Sequence, residues 1–269
     1  MAEIKLKLKK QPQFPLEAEV ISPDHFAGKT TAQIKKLELF YGNETVPLSD
    51  FFDVSGKSTN VKDTTIIIDG DLSNVKRIGE KMTDGAVIIN GNVGMHVANQ
   101  MEGGKITVNG NASDWAGAML KGGELEITGD AGNYIGAAYR GNWVGMENGI
   151  IKVKGKIGRE SMIWARSSKG AGKFPMLKCG GADSFLGMHN HGGTIIVEGD
   201  VDLYAGADQA WGQIIIKGKT PRLLPSYKKM GEISEIELPN GEKITGNFIE
   251  YSGDHSIKKE TNGRIYIAN

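Results

Sequence analysis

Two histidines separated by one residue are the strongest candidates for metal chemistry in this chain. His189 and His191 flank Asn190. Alternate side chains of an extended segment face the same side, so the two imidazoles could share one ion. Asp183 is nearby in sequence, but no further histidine or carboxylate pair has a spacing typical of a metal site. We therefore predict no metal site and keep the two histidines as candidates, beside the alternative that they are polar residues at a corner or an interface.

The single cysteine, Cys179, precedes Gly180 and Gly181. A thiol becomes a nucleophile when a neighbouring group activates it, and no such partner can be assigned from the sequence. One thiol also cannot supply the four thiolates that usually hold an iron–sulfur cluster. We therefore expect a buried, unreactive thiol, and we predict neither catalytic residues nor a bound cofactor in this chain.

The composition excludes several classes of function. Lys and Arg number 32 and so do Asp and Glu, so the chain lacks the basic surface that nucleic-acid binding needs. No apolar run approaches the ~20 residues of a membrane span, and the amino terminus lacks the apolar core of a signal peptide. The Gly-Lys-Thr and Gly-Lys-Ser triplets at Gly28 and Gly56 lack the earlier glycine of a phosphate-binding loop. We expect a cytoplasmic protein.

Regularly spaced glycines indicate the strands and turns that position the histidines and the cysteine. Short runs rich in Ile, Val and Thr, a composition typical of strands, end close to a glycine. Successive turn glycines are 21, 19, 19, 26, 44 and 19 residues apart. Because glycine and the adjacent Asn or Asp tolerate a positive φ, we expect left-handed corners there. The turn glycines are Gly70, Gly91, Gly110, Gly129, Gly155, Gly199 and Gly218.

This spacing predicts an all-β fold, a right-handed parallel β-helix in which coils of about 20 residues stack into a solenoid. The connections are too short for the crossover helices of an ordinary parallel sheet. Segments of small residues such as Ala116-Gly117-Ala118 are predicted to form a second strand that lets opposing walls approach closely. The alternative is an antiparallel meander or propeller, since Asn-Gly and Asp-Gly favour hairpins, although the following segments are glycine-rich rather than matching strands.

The repeats divide the chain into three parts. Residues 63–220 form the predicted β-helix, and residues 1–62 form an amino-terminal α/β cap with strands and a short helix that starts at Ser22-Pro23-Asp24. Residues 221–269 contain three strand-like runs and form a carboxyl-terminal β cap. Caps are expected because an open terminal coil would expose sheet edge and core.

Two intervals exceed the usual spacing, and both contain residues suited to an interface. We interpret residues 158–192 as an insertion of about 25 residues between two coils. Trp, Tyr, Met and Arg are enriched in the buried centres of protein interfaces. The alternative, which stays open, is that Trp and Phe fold the insertion onto the solenoid. The candidates for a partner interface are Tyr139, Arg140, Trp143, Trp164, Arg166, Phe174 and Met188.

Two longer segments carry a family resemblance. The run GNVGMHVANQMEGGKITVNGNASDWAGAMLKGGELEITGDAGNYIGA, at 91–137, and FLGMHNHGGTIIVEGD, at 185–200, are similar to the C subunit of formylmethanofuran dehydrogenase. The glycine pattern alone resembles the wider superfamily that includes the carboxyl-terminal glycine-repeat domain of the glutamate synthase large subunit.

The resemblance implies a β-helical subunit of a large archaeal complex that fixes carbon dioxide onto methanofuran at the start of methanogenesis. Amidohydrolase-like and pterin-binding subunits would be its partners, and they would carry tungsto- or molybdopterin, iron–sulfur clusters and a binuclear metal site. We therefore predict a noncatalytic scaffold subunit. The alternatives are a subunit of the related formyltransferase/hydrolase complex, a stand-alone β-helix enzyme, or a regulatory domain like that of glutamate synthase.

Overall fold

The computed structural model shows a predominantly β protein, and the all-β class is confirmed. It describes residues 2–167, 172, 174–220, 222–255 and 261–269. Across these residues one sheet has 13 strands and a smaller one has four. Within the same residues, no helix is long and apolar enough to cross a membrane.

The amino-terminal segment combines short strands with two single-turn helices. As predicted from the Ser-Pro-Asp start, Ser22 caps the first helix, because its side chain accepts a hydrogen bond from the backbone N–H of His25. The elements in this segment are β1 (Ala2–Leu8), β2 (Leu16–Glu17), α1 (Pro23–Phe26), α2 (Thr31–Ile34), β3 (Glu38–Tyr41), β4 (Glu44–Pro47), a 3₁₀ turn (Leu48–Asp50) and β5 (Phe52–Gly56).

The glycine repeats form the central part of the large sheet. Their described strands are β6 (Thr64–Asp69), β7 (Val75–Lys76), β8 (Ala86–Asn90), β9 (Lys105–Val108), β10 (Glu124–Ile127), β11 (Ile150–Ile157), β12 (Met176–Ala182), β13 (His191–Val197) and β14 (Trp211–Ile216). Apart from β7, they pair side by side, all parallel and in chain order. Parallel pairing excludes the antiparallel meander for these strands.

The register of the strands stacks aliphatic side chains into one continuous core. Leu125 is aligned with Ile106 on one side and with Ile151 on the other, and all three are fully buried. A second ladder of single bridging residues also joins the coils in parallel. It runs through Leu72, Val93, Ala112, Ala131, Ile157, Ala182 and Val201.

The interpretation of residues 158–192 as an insertion between two coils is wrong, because this segment contains a coil strand of its own. β12 pairs in parallel with both β11 and β13. Its turn glycine is Gly180, which stands 25 residues after Gly155 and 19 before Gly199. The strand is hard to find in the sequence because Met176, Cys179 and Gly180 interrupt the usual Ile- and Val-rich pattern.

Left-handed corners occur at only two of the seven turn glycines, Gly70 (φ 135°) and Gly91 (φ 150°). The prediction of a positive φ is wrong for the other five, Gly110, Gly129, Gly155, Gly199 and Gly218. What requires glycine there is the close approach of neighbouring coils. A Cβ at Gly110, for example, would lie 2.5 Å from the carbonyl oxygen of Gly91.

The small-residue segments are turns, so the prediction of second strands there is also wrong. Alternate residues take a left-handed conformation, including Trp115 and Gly117, each with φ 64°. The N–H groups of these left-handed residues donate to opposite neighbours in the stack. The Gly117 N–H donates to the carbonyl of Val97, and the Trp115 N–H donates to that of Asn133. These bonds between coils offset the ~1–2 kcal/mol that the left-handed conformation costs a non-glycine residue.

The amino-terminal segment extends both sheets beyond the first strands of the repeats. β1 lies parallel to β6 and β2 lies parallel to β7, so residues 2–17 form one further layer. β5 then pairs antiparallel with β1 as the outermost strand of the large sheet. Phe26, Ile34 and Phe52 are fully buried in the core cluster that also contains the aliphatic residues of the coils.

The carboxyl-terminal segment has the three strands that the sequence predicts: β15 (Lys228–Glu237), β16 (Lys243–Ser252) and β17 (Arg264–Ala268). β17 continues the sheet in parallel beside β14, and β16 and β15 follow antiparallel.

The hairpin of β15 and β16 also makes a contact that the sequence analysis did not predict. Ile236, Leu238 and Phe248 pack in a separate cluster with Ile196 and Ile215, whose side chains lie on the face of the sheet away from the main core. The hairpin therefore covers the outer face of the last coils.

Candidate functional site

Five of the seven predicted interface residues line one cavity of about 340 Å³, which we call the aromatic trough. The residues that define it are Trp115, Tyr134, Tyr139, Arg140, Trp143, Glu160, Ile163, Trp164, Met188 and His189. The other two predicted residues lie elsewhere: Arg166 is beside His191 and Trp211, and Phe174 is beside Met176 and Asn240. Trp115, Tyr134 and Glu160 were not among the residues predicted from the sequence.

One wall of the trough is a column of rings at equivalent positions in successive coils. His96, Trp115 and Tyr134 are 19 residues apart, and each has a φ of 63° or 64°. The ring centroids are 6.3 Å apart in the first pair and 4.4 Å apart in the second. The Tyr134 N–H donates to the carbonyl of Arg159, which makes Glu160 the next residue of the column. The recurrence of ring-bearing residues every 19 positions is the sequence signal for this wall.

The loop at residues 139–144 packs against the column through Tyr139. The Tyr139 hydroxyl donates to Asn99 Oδ1 at 2.8 Å and lies 2.9 Å from His96 Nδ1. Burial raises the pKa of Tyr139 to about 12, so its hydroxyl keeps the proton that it donates. Burial and, next, the positive charge of Arg77 lower the pKa of His96, which favours a neutral imidazole. These contacts anchor the start of the loop.

Trp143 lies at the trough and is 66% exposed. Its ring meets Trp164 edge to face, with centroids 4.9 Å apart. On one side of it, the Asn142 amide contacts Met119 Sδ at 3.7 Å, and on the other the Gly145 N–H donates to the Trp164 carbonyl at 2.8 Å. These contacts hold the loop on both sides of Trp143, so little loop entropy is lost when the ring is covered.

His189 and His191 do not have the geometry expected of an extended metal-binding pair. His189 is left-handed, with φ 55°, and its Nδ1 is paired with the carboxylate of Asp208. Both imidazoles lie nearly parallel to the Trp164 indole, at centroid distances of 4.4 and 5.2 Å. Among the described residues no group of three or more His, Cys, Asp or Glu side chains could hold a metal ion.

The remaining residues considered in the sequence analysis lie apart from the trough. Cys179 is 2% exposed in the core, as predicted, and burial raises its pKa to about 12. Asp183 lies apart from the histidines, in a groove with Asp200 and Asp202. Thr30 of the first Gly-Lys-Thr triplet caps α2, which has only four residues.

Comparison with known proteins places these features in a family, although no family model matches the chain. The C subunit of the tungsten-containing formylmethanofuran dehydrogenase 2 of Methanococcus maripaludis is 40% identical over 273 residues, which cover 100% of this chain and 97% of that protein.

Shorter matches cover about a third of each chain. The C subunit of the tungsten-containing formylmethanofuran dehydrogenase 2 of Methanothermobacter marburgensis is 53% identical over 98 residues, 36% of this chain and 36% of that protein. The C subunit of the molybdenum-containing formylmethanofuran dehydrogenase 1 of Methanosarcina barkeri is 48% identical over 98 residues, 36% of this chain and 33% of that protein.

A solved structure shares the fold along nearly the whole chain. It is the crystal structure of the formyltransferase/hydrolase complex from Methylorubrum extorquens with methylofuran, with a TM-score of 0.84, 23% identity, and coverage of 98% of this chain and 99% of that one. The identity along the full length of the Methanococcus maripaludis protein shows the family itself: this chain belongs to the family of formylmethanofuran dehydrogenase C subunits.

Proposed function

We propose that this chain is a noncatalytic scaffold subunit of a formylmethanofuran dehydrogenase complex, which reduces carbon dioxide and fixes it onto methanofuran in the first step of methanogenesis. The observation that carries the proposal is the full-length similarity to the C subunit of such a dehydrogenase. The groups that first suggested chemistry support it as well. Cys179 is enclosed in the core, and His189 is held by Asp208 and Trp164.

We further propose that residues 63–220 form a right-handed parallel β-helix, with residues 1–62 and 221–269 as its caps. The parallel strands, their 19-residue register and the second ladder support this architecture. A solenoid in which each coil contacts only its neighbours presents extended surfaces, and several proteins can dock on such surfaces at once.

The aromatic trough and its surroundings are the proposed docking surface. Tyr139, Arg140, Trp143, Trp164 and Met188 line the trough. Arg166 and Phe174, outside it, complete the set proposed from the sequence. A cluster of Trp, Tyr and Arg is the composition of an interface hot spot.

The proposed partners are the amidohydrolase-like and pterin-binding subunits of the same complex, in the cytoplasm. On this proposal they carry tungsto- or molybdopterin, iron–sulfur clusters and a binuclear metal site, and this chain carries none of them. The support is the family resemblance of residues 91–137 and 185–200.

The proposal is tested by comparing formylmethanofuran oxidation by the purified chain, by the complete complex, and by the other subunits prepared without this chain. We expect turnover by the complete complex, none by the chain, and little by the other subunits because they no longer assemble. Turnover by the isolated chain would contradict a noncatalytic role.

A second candidate is a subunit of a formyltransferase/hydrolase complex, favoured by the TM-score of 0.84 along almost the whole chain. The two candidates are separated by the activity of the native complex purified through this chain. A complex with formyltransferase and hydrolase activity but no dehydrogenase activity would support the second candidate.

A further inference from the structure

We propose that the aromatic trough receives a lysine or arginine side chain of a neighbouring subunit, with its positive charge against Glu160. This inference rests on the docking role proposed above and specifies the chemistry of the side chain that enters. The cavity, about 340 Å³, is at the small end of the range for ligand pockets. Its size suits one long side chain rather than a helix or a strand.

Glu160 is the residue of the trough that favours a positively charged occupant. It is half-buried, it lines the trough, and among the described residues its carboxylate has neither a hydrogen bond nor an ion pair. It is also the acidic residue of a column in which His96, Trp115 and Tyr134 precede it. A carboxylate among aromatic side chains is most stable with a cation beside it.

Several other glutamates already have such a cation. Glu124 lies 2.8 Å from Lys152 Nζ. Two further pairs follow the 19-residue register: Glu102 with Lys121 at 3.1 Å, and Glu198 with Lys217 at 2.9 Å. These three glutamates therefore have a lysine of this chain beside them, whereas Glu160 has none among the described residues.

The walls of the trough suit the rest of a basic side chain. Trp143, Trp164 and Tyr134 provide apolar surface for an aliphatic stem, and Trp143 is largely free of other contacts at 66% exposure. A guanidinium or ammonium group close to such rings is attracted to their π faces.

The other charged residues of the trough predict which residue of the partner lies next to the inserted basic residue. His189 is paired with Asp208, whereas Arg140 is exposed and has no ion pair among the described residues. Since the acidic group is the less exposed of the two, the partner's basic side chain enters and an acidic residue next to it meets Arg140. Complementary charges of this kind set the register of an interface.

The test measures the affinity of this chain for the remaining purified subunits of the complex. Glu160→Gln keeps the shape of the side chain and removes its charge, and we expect it to weaken binding at least tenfold. The control is Glu147→Gln, because Glu147 is also half-buried and unpaired among the described residues but lies outside the trough. It should bind like the wild type. Unchanged thermal unfolding of both variants would show that the fold is intact.

Trp143→Ala separates this inference from the docking role on which it rests. If Trp143→Ala weakens binding but Glu160→Gln does not, the docking surface stands and the cationic occupant is wrong. If neither substitution weakens binding, the trough is not the docking surface. If Glu160→Gln instead abolishes self-association of the isolated chain, the occupant is a second copy, and insertion from another subunit is wrong.

Discussion

At the scale of single residues, the close approach of neighbouring coils determines which positions require glycine. Gly180 and Gly181 show this in adjacent positions of β12. A Cβ at Gly180 would lie 2.4 Å from the backbone carbonyl oxygen of Lys154, whereas a Cβ at Gly181 would lie 3.1 Å from Lys156 Cγ and 3.2 Å from the carbonyl oxygen of Asp200. The contacts at Gly181 need a shift of only a few tenths of an ångström, but the overlap at Gly180 is too large for a packed backbone to relieve.

The first prediction compares alanine at these two glycines. Gly180→Ala should lower the free energy of unfolding by ~1–3 kcal/mol, the usual cost of overpacking, and Gly181→Ala should lower it clearly less. Urea denaturation of the two variants measures the difference. Equal losses would show that contact between coils does not determine the need for glycine.

The hydroxyl of Tyr139 allows a second matched comparison. Asn99 is buried, so removal of the Tyr139 hydroxyl leaves Asn99 Oδ1 without its donor. Tyr139→Phe should therefore cost ~1–3 kcal/mol of unfolding free energy. Tyr134→Phe is the control, because the hydroxyl of Tyr134 has no hydrogen bond among the described residues. A cost as large for Tyr134→Phe would mean that the loop is not anchored through Asn99.

His96 gives a prediction for the dependence of stability on pH. Burial and then Arg77 lower its pKa in the folded state from the usual 6.5, so folding favours the neutral imidazole. Its contribution to stability is complete above pH 6.5 and is lost as the pH falls through the lower, folded-state pKa. His96→Gln should remove this part of the acid dependence in unfolding experiments from neutral to mildly acidic pH. An identical pH profile for the variant would contradict the assignment.

At the scale of elements, alternation and glycine spacing predicted most coil strands but not their connections. KITV and ELEI place Ile106, Val108, Leu125 and Ile127 inward, and all four are fully buried. The left-handed turns were unpredictable from local preference, because residues such as Trp115 disfavour that conformation and adopt it only through hydrogen bonds to other coils. The 19-residue recurrence of His96, Trp115 and Tyr134 was a signal for the ring column, but Glu160 follows Tyr134 by 26 residues and its place in the column depends on the contact between coils.

The covered outer face of the last coils had a sequence signal. The runs TIIV and QIII lack the polar alternation of KITV and ELEI, and Ile196 and Ile215 face the hairpin of β15 and β16. The run of Ile at 66–68 lacks it as well, so the signal does not single out the last coils. A sheet that is covered on both faces loses that alternation. The segment that covers this outer face cannot be predicted from the local sequence, because the covering depends on contacts between distant parts of the chain.

A substitution in this hairpin tests its packing role. Phe248 is 4% exposed among Ile236, Ile215 and Tyr266. Phe248→Ala should lower the free energy of unfolding by ~3–5 kcal/mol, because it removes a buried ring and leaves a cavity. Met230→Ala, in the same hairpin but 57% exposed, should have little effect. Similar small losses for both would mean that the hairpin is not part of the folded core.

At the scale of the whole molecule, the parallel strands of the repeats lie between extra strands at both ends of the large sheet. β1 and β5 extend the sheet at one end, and β17, β16 and β15 extend it at the other. The features that suit binding are concentrated where the repeat is interrupted by the loop at residues 139–144. This distribution is what a scaffold needs, since the coils provide stability and the loop provides a specific contact.

Native mass spectrometry of the complex purified through a tag on this chain tests the scaffold role most directly. A scaffold role predicts a stoichiometric assembly with dehydrogenase subunits, and it predicts that Trp143→Ala releases a folded copy of this chain from that assembly. A wild-type chain that appears only as a free monomer, without other subunits, would contradict it.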